Sequence, residues 1–259
     1  MLEDPQFLSL ALSATAIFAR VTLIFAFMPL LGEAFMPVRV RILLCLGITA
    51  CLLPTVSVDI TTLPTTLGGF TLVLIPEFLL AMTLGLTAKL VFAAVQFAGQ
   101  AAGEQIGFGI ANVIDPTNSS QISITAQAYF LFSLLLFLAL DGHHILLGAL
   151  VASFEVAPLF SVSLGPEIFQ FINDEVAHMF ALAVMIAAPI LVAMLLVNMA
   201  LGLIAKAVPQ INIFIESFPI RIALGLLIMA LTFGALGALL ADEFARLDLN
   251  LGRALQLMQ

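Results

Sequence analysis

Three ionisable side chains stand inside apolar sequence: Arg20, Glu77 and Lys89. A charge at a bilayer centre costs about 3 kcal/mol on insertion scales, so such residues are paired or used. Two uses fit their chemistry. One is a relay for protons or ions; the other is structural pairing between neighbouring helices or subunits. Glu77 and Lys89 are twelve positions apart, too far to pair along one helix, where partners lie three or four residues apart. The histidines are His143, His144 and His178. Neighbours on a helix point about 100° apart, so His143 and His144 are not expected to share a metal ion. Asp141-Gly142-His143-His144 reads as a loop or helix end. Neither lysine, Lys89 or Lys206, follows the glycine-rich lead of a phosphate loop. No Ser/His/Asp grouping has a meaningful spacing. No catalytic residue, metal or cofactor is expected, and an enzyme is not.

The elements that must carry these residues are apolar. Of 259 residues, 63% are hydrophobic and 9% charged, against roughly 25% charged in a soluble domain. This excludes an ordinary soluble globule, and it excludes disorder, which needs high charge and low hydrophobicity. A net charge of −8 with eight Lys and Arg makes a poor nucleic-acid binder, since phosphate contacts need clustered cations. Apolar runs fall at 7–31, 42–58, 69–98, 122–140, 177–205 and 219–241. Most are near the roughly 20 residues that a spanning helix needs. The fold class is therefore all-α, with about six long segments forming kinked hairpins; Pro76 is expected to bend the third. Arg39 and Arg41 lie in the first loop, and Lys206 and Arg221 bracket the fifth, while loops 59–68 and 141–176 hold no Lys or Arg. Six spans with the N-terminus outside place both basic loops in the cytoplasm; Arg246 and Arg253 in the tail depart from the pattern. The first segment, led by Glu3 and Asp4 rather than by cations, is expected to be retained rather than cleaved. Cys45 and Cys51 point in different directions on a helix and are not expected to bridge. The chain has no Trp and one Tyr, Tyr129. Lipid-facing proteins carry belts of both, so much of this apolar surface is expected to meet protein.

Two stretches are more specific. In the first, Gly99, Gly103 and Gly107 recur every fourth residue, a face that lets another backbone approach closely. It ends at Asp115-Pro116-Thr117-Asn118, where the proline and polar residues mark a loop. Phe108, Ile110 and Ile114 near Gly107 and Gly109 suit either a deformable apolar stopper or a packed turn. The second stretch, Pro209-Gln210-Ile211-Asn212-Ile213-Phe214-Ile215-Glu216-Ser217-Phe218-Pro219-Ile220-Arg221, separates the last two runs. It reads as a re-entrant or cytoplasm-facing turn.

At these residues the chain resembles the FliR family, the membrane component of the bacterial flagellar type III export apparatus. The resemblance runs nearly end to end: Phe18-Ala19-Arg20 then Pro29, Met36-Pro37-Val38-Arg39-Val40-Arg41, the glycine face ending in Asp115-Pro116, Leu136 to His144, Pro209 to Phe214, and Phe218-Pro219. Asp141 stands where the family often has Asn, and Glu216-Ser217 where an apolar residue and Gly are usual. Resemblance implies a FliP-like helical part over 1–176 and a FliQ-like hairpin and tail over 177–259. It implies one copy in a ring with FliP-like and FliQ-like subunits, through whose pore unfolded flagellar subunits cross the inner membrane at the flagellar basal body. Phe108, Ile110, Val113, Ile114, Asp115 and Pro116 match the family's pore plug. An apolar plug dewets a constriction and so stops ion leak at rest. Gln210, Asn212, Glu216, Phe218, Pro219 and Arg221 match the cytoplasmic entrance turn that meets an FlhB-like gate protein. Arg20, Glu77 and Lys89 become buried structural charges, and lipid remains a partner. The corresponding subunit of a virulence injectisome has the same fold and is the alternative. A small-molecule or ion transporter using the three charges is the alternative from another class.

Overall fold

The computed structural model describes residues 5–28, 36–56, 67–108, 123–159, 161–162, 165–207, 210 and 213–259. Within them are seven helices: α1 (Pro5–Phe27), α2 (Val38–Leu52), α3 (Leu67–Ile106), α4 (Ile124–Ala139), α5 (Gly142–Val156), α6 (Pro166–Ala207) and α7 (Ile213–Gln256). No strand occurs among the described residues, so the chain is all-α, as its apolar runs require.

Local sequence explains the helix ends. Pro5 and Pro166 open α1 and α6, where a missing N–H costs nothing and φ is already helical. Glu167 in the first turn of α6 and Lys206 in its last complement the helix dipole, as Glu216 and Arg253 do in α7. Pro76, Pro189 and Pro219 lie inside helices.

The helices outrun the apolar segments in several places. α3 passes through Pro76 and continues past residue 98 to Ile106, 40 residues in all, about 60 Å at 1.5 Å per residue. The expected loop 141–176 instead contains α5 and the start of α6, from Pro166 onward. The buried positions of α5, Leu146, Ala149, Leu150, Ser153 and Phe154, follow three-and-four helical spacing, within an apolar run, 145–154, that is too short to span a membrane. α7 continues past residue 241 because Phe244, Leu247, Leu251, Ala254 and Leu255 are buried at helical spacing. The acids and arginines of the tail occupy its other face.

The six-span expectation is approximate. Among the described residues, three helical stretches are long and apolar enough to cross a membrane: Ile75–Ile106, Pro166–Ala207 and Glu216–Gln256. A fourth span results if α4 and α5, bent by 68° at their junction, count as one.

Packing divides the chain into two compact units. The first comprises Met1–Leu90, Asp141–Val176 and Phe244–Gln259; Ile17, Phe25, Leu80 and Leu150 are among its fully buried side chains. The second comprises Val91–Leu140 and Ala177–Glu243. Its core is aromatic: Phe92 meets Phe130 and Phe137 edge-on, and Tyr129 stacks on Phe233 at 5.5 Å.

Candidate functional site

In the first unit Arg20 lies on α1, Glu77 on α3, and the last carbonyls of α5 converge on them. Arg20 Nε donates to Glu77 Oε2 at 2.6 Å and Nη2 to Oε1 at 2.6 Å, a bidentate pair. Nη1 donates to the carbonyls of Ser153 at 2.9 Å and Ala157 at 2.6 Å, and Nη2 to that of Pro158 at 3.3 Å. All five guanidinium N–H groups are thus used. The two side chains are 0% and 3% exposed, and the Phe154 ring lies 5.0 Å from the guanidinium carbon. A cation at the carboxyl end of α5 also satisfies carbonyls that the helix leaves open. Both carboxylate oxygens of Glu77 accept from Arg20, so the arrangement is a strut joining α1, α3 and the end of α5. Lys89, the third of these charges, is exposed at the surface of the chain and makes interactions of its own.

In the second unit the glycine face of α3 meets the start of α4. A Cβ on Gly99 would lie 2.7 Å from the Ala126 Cα and 3.0 Å from the Thr125 carbonyl oxygen. One on Gly103 would strike the hydroxyls of Thr125 and Ser123. The close approach lets Thr125 Oγ1 donate to the Gly99 carbonyl at 2.7 Å, and the Ser123 N–H donate to Gln100 Oε1 at 3.3 Å. Gly107 ends α3 with φ +110°, and the N–H of Phe108 returns to the Gly103 carbonyl at 3.0 Å, a glycine-closed helix end. Phe108 follows, half-buried. The remaining residues expected in a plug, Ile110, Val113, Ile114, Asp115 and Pro116, lie outside the described residues.

The expected entrance turn is largely helical. α7 begins at Ile213, so Glu216, Phe218, Pro219 and Arg221 belong to its opening turns, with Pro219 inside the helix. Gln210 is exposed, Glu216 and Pro219 are exposed, and Phe218 and Arg221 are half-buried. Asn212 lies outside the described residues. Here two sequence-distant stretches meet: the Phe218 ring occupies the space beside Gly107, 3.2 Å from where a Cβ would stand.

Two histidine arrangements were not legible from spacing. His178 on α6 shares a 2.8 Å contact with Glu243 on α7. At the α4–α5 junction, Asp141, His143 and His144 place one potential ligand atom each within 4.8 Å of one another. The 100° separation of adjacent side chains did not foresee this. Asp141 adopts a left-handed conformation with φ 55°, and side chains in a first helical turn lean back toward it.

Comparison with known proteins fits this architecture. The family described as Bacterial export proteins, family 1, matches residues 11–247. The chain is 30% identical over 239 residues to "Flagellar biosynthetic protein FliR" of Bacillus subtilis, covering 88% of this chain and 89% of that one. It is 32% identical over 212 residues to the protein of that name from Escherichia coli, covering 82% and 80%. It is 28% identical over 234 residues to that of Caulobacter vibrioides, covering 90% and 93%. The match along nearly the whole chain, on an all-α chain with helices long and apolar enough to cross a membrane, places this protein in the FliR family of bacterial export proteins.

Proposed function

We propose that the chain is a structural channel component of the flagellar export gate. It assembles with FliP-like and FliQ-like subunits, meets an FlhB-like gate protein, and passes unfolded flagellar subunits across the bacterial inner membrane at the basal body. The observation that carries this reading is the match along nearly the whole chain to flagellar biosynthetic proteins named FliR. Its apolar surface supports it. Val192, Leu195, Met199 and Leu203 form an exposed stripe on α6, and Leu227 and Leu231 extend the same character on α7. Such faces require partner helices or lipid to cover them.

In this reading 1–176 is the FliP-like part and 177–259 the FliQ-like part. Residues 108 to 116, with Phe108, Ile110, Val113 and Ile114 as the apolar side chains and Asp115-Pro116 as the stop, close the pore at rest. The segment from Gln210 to Arg221 lines the entrance. Gly107 beside Phe218 gives plug and entrance a common anchor. The test is a double substitution, Phe108→Gly with Ile114→Gly, in cells that carry the complete export apparatus. Ion leak through the membrane should rise while flagellar subunits are still exported. Unchanged conductance sinks the plug, and export that persists unaltered after deletion of the whole chain sinks the channel role.

A further inference from the structure

We propose that Asp141, His143 and His144 form a binding site for a borderline divalent transition-metal ion, of which Zn²⁺, Co²⁺ and Ni²⁺ are the class. Two imidazoles and a carboxylate are a donor set for such ions, and hard cations that prefer all-oxygen shells fit it poorly. Three observations support the site. One ligand atom from each residue lies within 4.8 Å of the others. A tetrahedral zinc centre with bonds of about 2.0–2.2 Å holds its donors about 3.5 Å apart, so rotation of the exposed Asp141 and His144 side chains closes the difference. The donors are also uncommitted. Asp141 precedes α5 but its carboxylate makes no capping hydrogen bond. His144 Nδ1 lies 3.6 Å from Asp141 Oδ1, beyond a hydrogen bond. His143 Nδ1 is covered by protein and has no hydrogen-bond partner among the described residues. Finally, the backbone holds the residues in place. Asp141 is the non-glycine residue with positive φ among those described, and its carbonyl accepts the His144 N–H at 2.8 Å. The left-handed residue turns the chain so that the carboxylate faces the first turn of α5, and the two rings stand 4.2 Å apart.

Three protein ligands leave a fourth position for water. An ion there would tie Asp141 to the first turn of α5. A cation at a helix start is opposed by the dipole, and the Asp141 carboxylate offsets that. The site stands or falls independently of the export reading.

The experiment uses the full chain in mild detergent, purified with a histidine-free tag and titrated with Co²⁺. Saturation at one Co²⁺ per chain, displaced by Zn²⁺ and released on acidification as protons compete for the ligands, is expected. Asp141→Asn, His143→Gln and His144→Gln should each weaken binding about tenfold or more, while His178→Gln should not change it. As a check that needs no variant, Zn²⁺ should slow diethyl pyrocarbonate modification of His143 and His144 but not of His178, read by peptide mass spectrometry. The absence of saturable Co²⁺ uptake by the wild-type chain overturns the proposal, and so does uptake indifferent to the three substitutions or Zn²⁺ that fails to protect the two histidines.

Discussion

Ile75–Ile106 of α3 and Glu216–Gln256 of α7 are both long and apolar enough to cross a membrane, yet 67% of the most apolar window is buried inside the chain in one and 17% in the other; Pro166–Ala207 of α6 lies between at 33%. Hydropathy does not distinguish them. The difference lies in what each helix finds to pack against. α3 carries Glu77 against Arg20 in one unit, and a glycine face against α4 in the other. α7 presents Leu226, Leu227 and Leu231 outward. A helix that satisfies itself within the chain is built for internal order, and one that does not is built for neighbours.

The largest effect that separates these two kinds of helix is expected at Arg20. Arg20→Met takes the bidentate guanidinium from the buried Glu77 carboxylate and one donor from each of the carbonyls of Ser153, Ala157 and Pro158. Removing one member of a buried pair costs about 3–5 kcal/mol, so the purified chain should melt earlier or fail to accumulate. Adding Glu77→Met should recover most of the loss, since apolar replacement of a whole buried pair is often neutral or better. A single variant as stable as wild type would show that the strut contributes nothing.

A smaller pair of effects has opposite signs. Gly99→Ala forces a Cβ against the Ala126 backbone and should cost about 1–3 kcal/mol as overpacking. Gly202→Ala, on α6 with nothing within 4 Å of its Cβ, should stabilise by about 0.5–1 kcal/mol through helix propensity alone. Thermal melting in detergent measures both. Equal shifts would mean that the glycine face is not a packing surface.

The smallest effect on the isolated chain is expected on α7. Leu231 is 74% exposed, and Leu231→Asn should change the chain's own stability by less than about 0.5 kcal/mol. Its cost should appear on association with partner subunits. Strong destabilisation of the isolated chain would contradict the assignment of α7 to external contacts.

Most of the helices were legible because apolar runs of spanning length leave few alternatives. α5 was not, because its apolar run from Ile145 to Phe154, set between Gly142-His143-His144 and Glu155, is too short to read as a span. The tail beyond residue 241 was hidden for a different reason: amphipathic sequence lowers mean hydropathy while keeping a complete buried stripe. The ionisable residues were visible, but their partners were not. Arg20 and Glu77 are 57 positions apart, and the carbonyls that complete the site come from α5, whose backbone carries no signal of residue type. The glycine face announced a close contact without saying that the start of α4 is what it meets. Asp141, His143 and His144 were plain in sequence, and a regular-helix argument set them aside because it took no account of the left-handed residue that precedes the helix.

The central claim is that this chain is a subunit whose exposed apolar helices are completed by other export proteins. Native mass spectrometry of the tagged chain, co-expressed with the products of its neighbouring genes and released in mild detergent, tests it most directly. The account predicts one copy of the chain bound to several FliP-like and FliQ-like subunits. A stable monomer or homodimer without those partners would contradict it.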